Sequence, residues 1–149
     1  VGAYWVHESI SAELEGFPVN VMRMEQWGVP DFYEIVVVTS EDMVNESPAV
    51  VDSFVLAVAK GYAAAMEDPQ GAIDVLANAK PEINQKIERP GVELLAPLWG
   101  NGVPVFGWQE ENRWVDFGRW MQENGLLSLS LDSREAFTNR FVQEVAKYQ

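Results

Sequence analysis

The sequence predicts an α/β fold that is rich in helices and carries a few short strands. Three observations predict it. Ile35-Val36-Val37-Val38 is a short, continuous, β-branched run, the mark of a strand buried on both faces. The strand-like segments are separated by helices or long loops, so they do not pair as hairpins and favour a parallel or mixed sheet. Three short strands are also too few for so many helices, which predicts that part of the domain lies outside this chain.

The elements follow in order. Val1 to Val6 reads as the end of a buried strand. His7 to Glu15 reads as a short helix, with Ile10 and Leu14 spaced i, i+4 and Gly16 suited to stop it. Val19 to Met24 alternates apolar and polar residues, the pattern of a short strand. Gln26 to Phe32 holds Gly28 and Pro30 and is a predicted loop. Tyr33 to Thr39 is the third strand. Ser40 can cap the turn after it, with Glu41 and Asp42 at the helix start.

Pro48 suits the first turn of a long helix to about Glu67, with Val51, Phe54, Val55, Val58 and Tyr62 as its apolar stripe. Asp68-Pro69 starts another helix, to about Ala79. Pro81 starts a third, which Pro90 either kinks or divides. Trp99 to Gly107, with three glycines and a proline, is the longest predicted loop. A helix follows from about Glu110 to Glu123, with Trp114, Phe117 and Met121 on one face and Gly125 as its stop. Asp132 and Glu135 form a capping box. Ahead of the C-terminus, Phe137, Phe141, Val145 and Tyr148 make a helical stripe.

Composition removes several function classes. The 149 residues fit one domain, and 48% hydrophobic content is ordinary for a globular chain. A net charge of −13 opposes phosphate backbones, so no nucleic-acid partner is expected. The same acidity disfavours anionic membrane surfaces and keeps the chain soluble. There is no cysteine, which excludes disulfides, thiol nucleophiles and Cys-based zinc sites. His7 is the single histidine, so no His-rich metal site can form, and no calcium-loop motif is present. No metal, cofactor or catalytic group is expected. No apolar run is expected to reach the ~18–20 residues of a membrane span. Val1 opens directly in strand-like sequence, which predicts a chain cut inside a domain.

Tyr4-Trp5-Val6-His7-Glu8 is the most informative stretch. It lies where a strand hands over to a helix, the position at which open α/β sheets bind ligands. Two aromatics, an imidazole and a carboxylate there can stack on a planar ring and bond its polar edge. The same spacing equally fits Trp5 as core and His7 and Glu8 as first-turn polar residues. Gln26 to Tyr33 offers Trp27, Asp31, Phe32 and Tyr33, either as binding residues on a loop or as its anchors. Trp99 and Trp108 bracket the glycine-rich loop and either line a cleft or pin that loop. Asn101-Gly102 is a weak phosphate-cradle candidate, and no nucleotide-binding glycine motif exists.

Taken in order, these motifs resemble the C-terminal half of the thiamine-precursor (hydroxymethylpyrimidine) binding proteins, within the type 2 periplasmic-binding-protein superfamily. The matching pieces begin with Gly2-Ala3-Tyr4-Trp5 and Glu8, then Val29-Pro30-Asp31-Phe32-Tyr33 before an apolar strand. Glu46-Ser47-Pro48 follows, then Lys60-Gly61-Tyr62 and Glu67-Asp68-Pro69. Trp120 to Leu126 and Ala136-Phe137-Thr138-Asn139 complete the pattern. Val6-His7-Glu8 departs from the family's more frequent Thr-Trp-Glu.

The resemblance implies the C-terminal part of a two-lobed receptor that closes on its ligand. Residues 1–28 would end lobe two, 29–34 would return through the hinge, and 35–149 would belong to lobe one. The N-terminal half of the fold would lie outside this chain. Tyr4 and Trp5 would stack on a flat heteroaromatic ligand such as a thiamine pyrimidine precursor. Glu8 would accept from its polar edge, and His7, Asp31 and Tyr33 would complete the site. The implied protein is the solute-binding component of an ABC-type importer, with the permease as partner. It would be extracytoplasmic, periplasmic or a cell-surface lipoprotein. The alternative is a cytoplasmic pyrimidine-precursor biosynthetic enzyme on the same fold.

Overall fold

The computed structural model describes residues 2–100, 102–103, 105–128 and 132–145, with side chains described to residue 142. Among the described residues seven α-helices form: α1 Glu8–Leu14, α2 Glu41–Glu46, α3 Pro48–Glu67, α4 Pro69–Ala79, α5 Gln85–Leu95, α6 Glu111–Glu123 and α7 Arg140–Val145. The chain divides into two compact units. One comprises Val1–Val21 with Val58–Gly102, the other Met22–Ala57 with Val103–Gln149.

The helices stand close to their expected bounds because their ends carry local chemistry. Ser40 accepts from the Met43 N–H at 3.2 Å and starts α2. Asp68 accepts from the Gly71 N–H at 2.9 Å and starts α4, whose first residue is Pro69. Asn84 does the same for α5 at the Lys86 N–H, 3.1 Å. Pro81 therefore sits in the preceding turn. α5 runs through Pro90 without dividing. Gly16 and Gly125 adopt φ of 88° and 71° after α1 and α6, a conformation glycine takes at little cost.

The strands do not form. Among the described residues no segment pairs with another in a ladder. Residues 2–4 have no regular structure, and 5–7 form a turn into α1. The Val19 to Met24 stretch leads into a 3-10 turn at Met24–Trp27, with Val19, Val21 and Met22 exposed. Ile35, Val37 and Val38 are 78%, 59% and 82% exposed. A strand is a pairing between backbones, and no described segment of this chain supplies the partner. The β-branched sequence is present; its neighbour is not.

Two other expectations change. The Phe137 to Tyr148 stripe is broken. Ser133–Ala136 is a 3-10 turn, Phe137 is extended at φ −142° and ψ 166°, and α7 starts only at Arg140. Asp132 accepts from the Arg134 N–H rather than building an α-helical capping box. Tyr148 and the Val145 side chain lie outside the described residues. In addition, α3 is long and apolar enough, by length and composition, to cross a bilayer. Asp52 and Lys60 interrupt its sequence, and of its residues Val51 and Ala59 are buried.

In the first unit the core sits on α5. Ile87, Gly91 and Val92 are buried there, facing α4 and α1, and Ile73 of α4 is buried opposite. A polar staple lies beside this seam. Arg89 donates to Gln70 at 3.0 Å, Gln85 at 2.7 Å and Asp74, while Gln70 donates to Glu93 at 2.6 Å. Tyr62 meets Trp99 edge-on, with ring centroids 5.0 Å apart.

Ile87→Ala is expected to cost about 2–4 kcal/mol, since it empties a buried site. Val75→Ala, at an exposed position of the neighbouring helix, is expected to change stability by less than about 0.5 kcal/mol. Urea unfolding of the two variants measures the contrast.

Candidate ligand-binding site

In the first unit, Tyr4, Trp5, His7 and Glu8 come together at one tight turn. The Tyr4 carbonyl accepts from the His7 and Glu8 N–H groups at 2.9 and 3.0 Å. The Glu8 carboxylate reaches back, and its Oε2 accepts from the Tyr4 N–H at 2.8 Å. Ser9 Oγ donates to the Trp5 carbonyl. The turn is thus closed by its own residues, and it presents four polar or aromatic side chains side by side. Tyr4, His7 and Glu8 are exposed, and Trp5 is half-buried. α1 has only seven residues. What the turn offers a ligand is therefore its side chains rather than a helix dipole.

This turn is seated on α5. His7 Nε2 lies 3.4 Å from Glu88 Oε1. The Val6 carbonyl approaches Gly91 so closely that a Cβ there would lie 2.6 Å from its oxygen. Neither Glu88 nor Gly91 was an expected functional residue. The available signal was a glycine inside a helix, a choice that costs about 1 kcal/mol against alanine and so marks a close approach.

Asp31 and Tyr33 belong to the second unit. Asp31 is exposed. Tyr33 has a structural job: its hydroxyl accepts from the Glu110 N–H at 2.7 Å, at the start of α6. Its ring lies 4.8 Å beneath the Arg113 guanidinium and 6.0 Å from the Trp114 ring. Trp114 stacks on Phe137 at 5.7 Å. One helical turn further along α6, Phe32 stacks on Phe117 at 4.4 Å, and Phe117 on Trp120 at 5.8 Å. Successive residues of one loop thus feed two aromatic stacks on α6.

Asn139 completes the arrangement. Its Oδ1 accepts from the Gln109 N–H at 2.9 Å, and its Nδ2 donates to the Gln109 carbonyl at 2.8 Å. A side-chain amide here satisfies both backbone groups of Gln109, whose own side chain accepts from Trp114 Nε1 at 2.8 Å. Trp27 is 71% exposed and joins none of these stacks as described. Of the glycine-rich loop, Asn101 lies outside the described residues.

A groove of about 390 Å³ opens between α6 and the Ser133–Ala136 turn. No aromatic side chain lines it, and its arginines pair with near neighbours, Arg119 with Asp116 and Arg134 with Asp132. It lacks what a flat ring needs. Hydrogen bonds from the Arg134 side chain, then from its N–H, hold the Asp132 carboxyl at about 2, below its ordinary 3.8. Among the described residues no group of acidic or histidine side chains is arranged to hold a metal ion.

Comparison with known proteins agrees with the class these features suggest. Residues 1–72 match the family described as NMT1/THI5 like. Over 143 residues the chain is 29% identical to a formylaminopyrimidine-binding protein of Halalkalibacterium halodurans, covering 93% of this chain and 43% of the relative. It is 26% identical over 148 residues to the riboflavin-binding protein RibY of Chloroflexus aurantiacus, covering 93% and 41%. The chain thus spans less than half the length of either relative. The match to the NMT1/THI5-like family spans the first 72 residues and is in keeping with the resemblance carried by the order of the motifs.

Asn139→Ala is expected to destabilise the protein by about 1–3 kcal/mol, because it strands two backbone groups. Tyr33→Phe, losing one hydrogen bond, is expected to cost about 1 kcal/mol. Chemical denaturation measures both. Because the Asp132 carboxyl is held low when folded, its contribution to stability is complete above pH 3.8 and disappears as pH falls through about 2. Carbon-13 titration of that carboxyl should show the low midpoint, and Arg134→Gln should return it towards the ordinary value.

Proposed function

We propose that this chain is the C-terminal part of a two-lobed solute receptor for a flat heteroaromatic ligand, with pyrimidines related to thiamine precursors as the lead class. The observation that carries the reading is the turn at Tyr4 to Glu8, in a chain similar to a formylaminopyrimidine-binding protein. Trp5 and Tyr4 stack on the ring faces. Glu8 Oε2 holds the Tyr4 N–H, and its second oxygen accepts from a ring N–H or amino group. His7 borders the ring's edge.

Residues 29–34 form the hinge return, and the turn at Tyr4 to Glu8 belongs to the same lobe as α5, which supports it within one compact unit. Ile35 to Val38 pair with strands of the N-terminal half, which explains their apolar, β-branched sequence and their exposure here. Tyr33 anchors the hinge to α6 through Glu110. Ligand capture shifts the population from open to closed lobes, with no bond broken. The receptor acts outside the cytoplasm and delivers its ligand to an ABC permease. That both relatives are named as binding proteins favours a receptor over an enzyme.

Calorimetry of the full-length protein with a formylaminopyrimidine and with riboflavin tests the proposal. Binding of one probe, lost in Trp5→Ala, is the expected result. Glu8→Gln keeps an acceptor for the Tyr4 N–H and removes the charge, so it should weaken pyrimidine binding by about 1–3 kcal/mol. A protein that binds neither probe, or binds one equally well without Trp5 and Glu8, is not this receptor.

A further inference from the structure

The turn at Tyr4 to Glu8 is closed by hydrogen bonds among residues 4 to 9. Those bonds fix its shape but not its place. Its place is set by α5, at two points one helical turn apart. At the first, Gly91 is buried, and a Cβ there would stand 2.6 Å from the Val6 oxygen, 3.7 Å from the Val6 carbonyl carbon and 3.9 Å from Ile10 Cδ1. The first of these distances is too short for any Cβ, and the obstructing atom is backbone. At the second, Glu88 Oε1 lies 3.4 Å from His7 Nε2. Residues 88 and 91 are i and i+3, so both points lie on one face of α5. Val6 and His7 directly follow Trp5, and any shift of the Val6 carbonyl is passed to the side chains on either side of it.

We propose that Gly91 and Glu88 are positioning residues for ligand binding: Gly91 sets how deeply the turn rests on α5, and Glu88 sets its rotation through His7. The proposal rests on the reading of that turn as the ligand-binding element. Gly91 touches no ligand; it acts through the Val6 backbone.

The test compares three substitutions in the full-length protein, titrated well below the melting temperature so that only folded protein is read. Gly91→Ala should weaken the bound probe, a formylaminopyrimidine or riboflavin, by roughly tenfold or more, the scale of one displaced hydrogen-bonding group. Gly61→Ala makes the same change on α3, where an added Cβ meets nothing within 4 Å, and should leave affinity unchanged. Glu88→Ala should weaken binding, and Glu88→Gln, which keeps an oxygen facing His7, should restore it. Should Gly91→Ala fail to fold, the Glu88 pair carries the test.

Wild-type affinity in Gly91→Ala and in Glu88→Ala, with Trp5→Ala still inactive, overturns the positioning role and leaves the receptor reading intact. If the unmodified protein binds neither probe, the receptor reading falls, and hydrogen exchange decides the seat by itself. The His7 and Glu8 amides should then exchange faster in Gly91→Ala than in Gly61→Ala, and equal rates overturn it.

Discussion

The close approach between α5 and the Val6 carbonyl is the contact on which the first unit depends. α5 is amphipathic, and three of its residues, Ile87, Gly91 and Val92, are buried. The helix reaches that burial by letting another backbone come near it. A glycine at position 91 permits the approach, and Pro90 beside it already interrupts the hydrogen-bond ladder of α5, since it has no N–H to donate. α4 uses the neighbouring face, with Arg89, braced by Gln85 of its own helix, reaching Gln70 and Asp74 across the seam. Two contacts of different kinds, one a close approach of backbones, one a set of side-chain hydrogen bonds at the rim, therefore meet on a single eleven-residue helix.

The second unit solves a similar problem with aromatic rings. A loop without regular structure has few backbone partners of its own. Phe32 and Tyr33 give it two anchors on α6, and Asn139 ties the approach to α6 to the segment before α7. Stacked rings add attraction beyond their buried area, on the order of 0.5–1.5 kcal/mol per pair. Two consecutive side chains divide the work, Phe32 on Phe117 and Tyr33 beside Trp114. This also explains why α6 holds three aromatics within seven residues, Trp114, Phe117 and Trp120.

The helices were legible because their ends are written locally. Ser40, Asp68 and Asn84 each accept an N–H within their own first turn, and Pro48 and Pro69 fix the first helical positions. The strands at Val19 and Ile35 were not legible as structure, since β-propensity describes a surface waiting for a neighbour. The stripe through Phe137 was misread because helical spacing alone cannot see Asn139, whose side chain is engaged with Gln109. At the site, the Tyr4 to Glu8 turn could be picked out from its residue types. Its support could not, because Gly91 and Glu88 lie about eighty residues away and contribute an absent side chain and one carboxylate. Tyr33 was noticed for its ring, but its hydroxyl contact with Glu110 depends on a fold that brings residues 77 apart together.

The bare Ile35 to Val38 segment has a cost in handling as well as a place in a fold. A β-branched, uncharged run with unpaired backbone is a template for edge-to-edge association whenever it is left uncovered. Glu34 before it, and Glu41 and Asp42 shortly after, act as charged gatekeepers. The −13 net charge adds repulsion between copies. Salt screens that repulsion, so aggregation of this chain, prepared by itself, should be governed by ionic strength as much as by temperature.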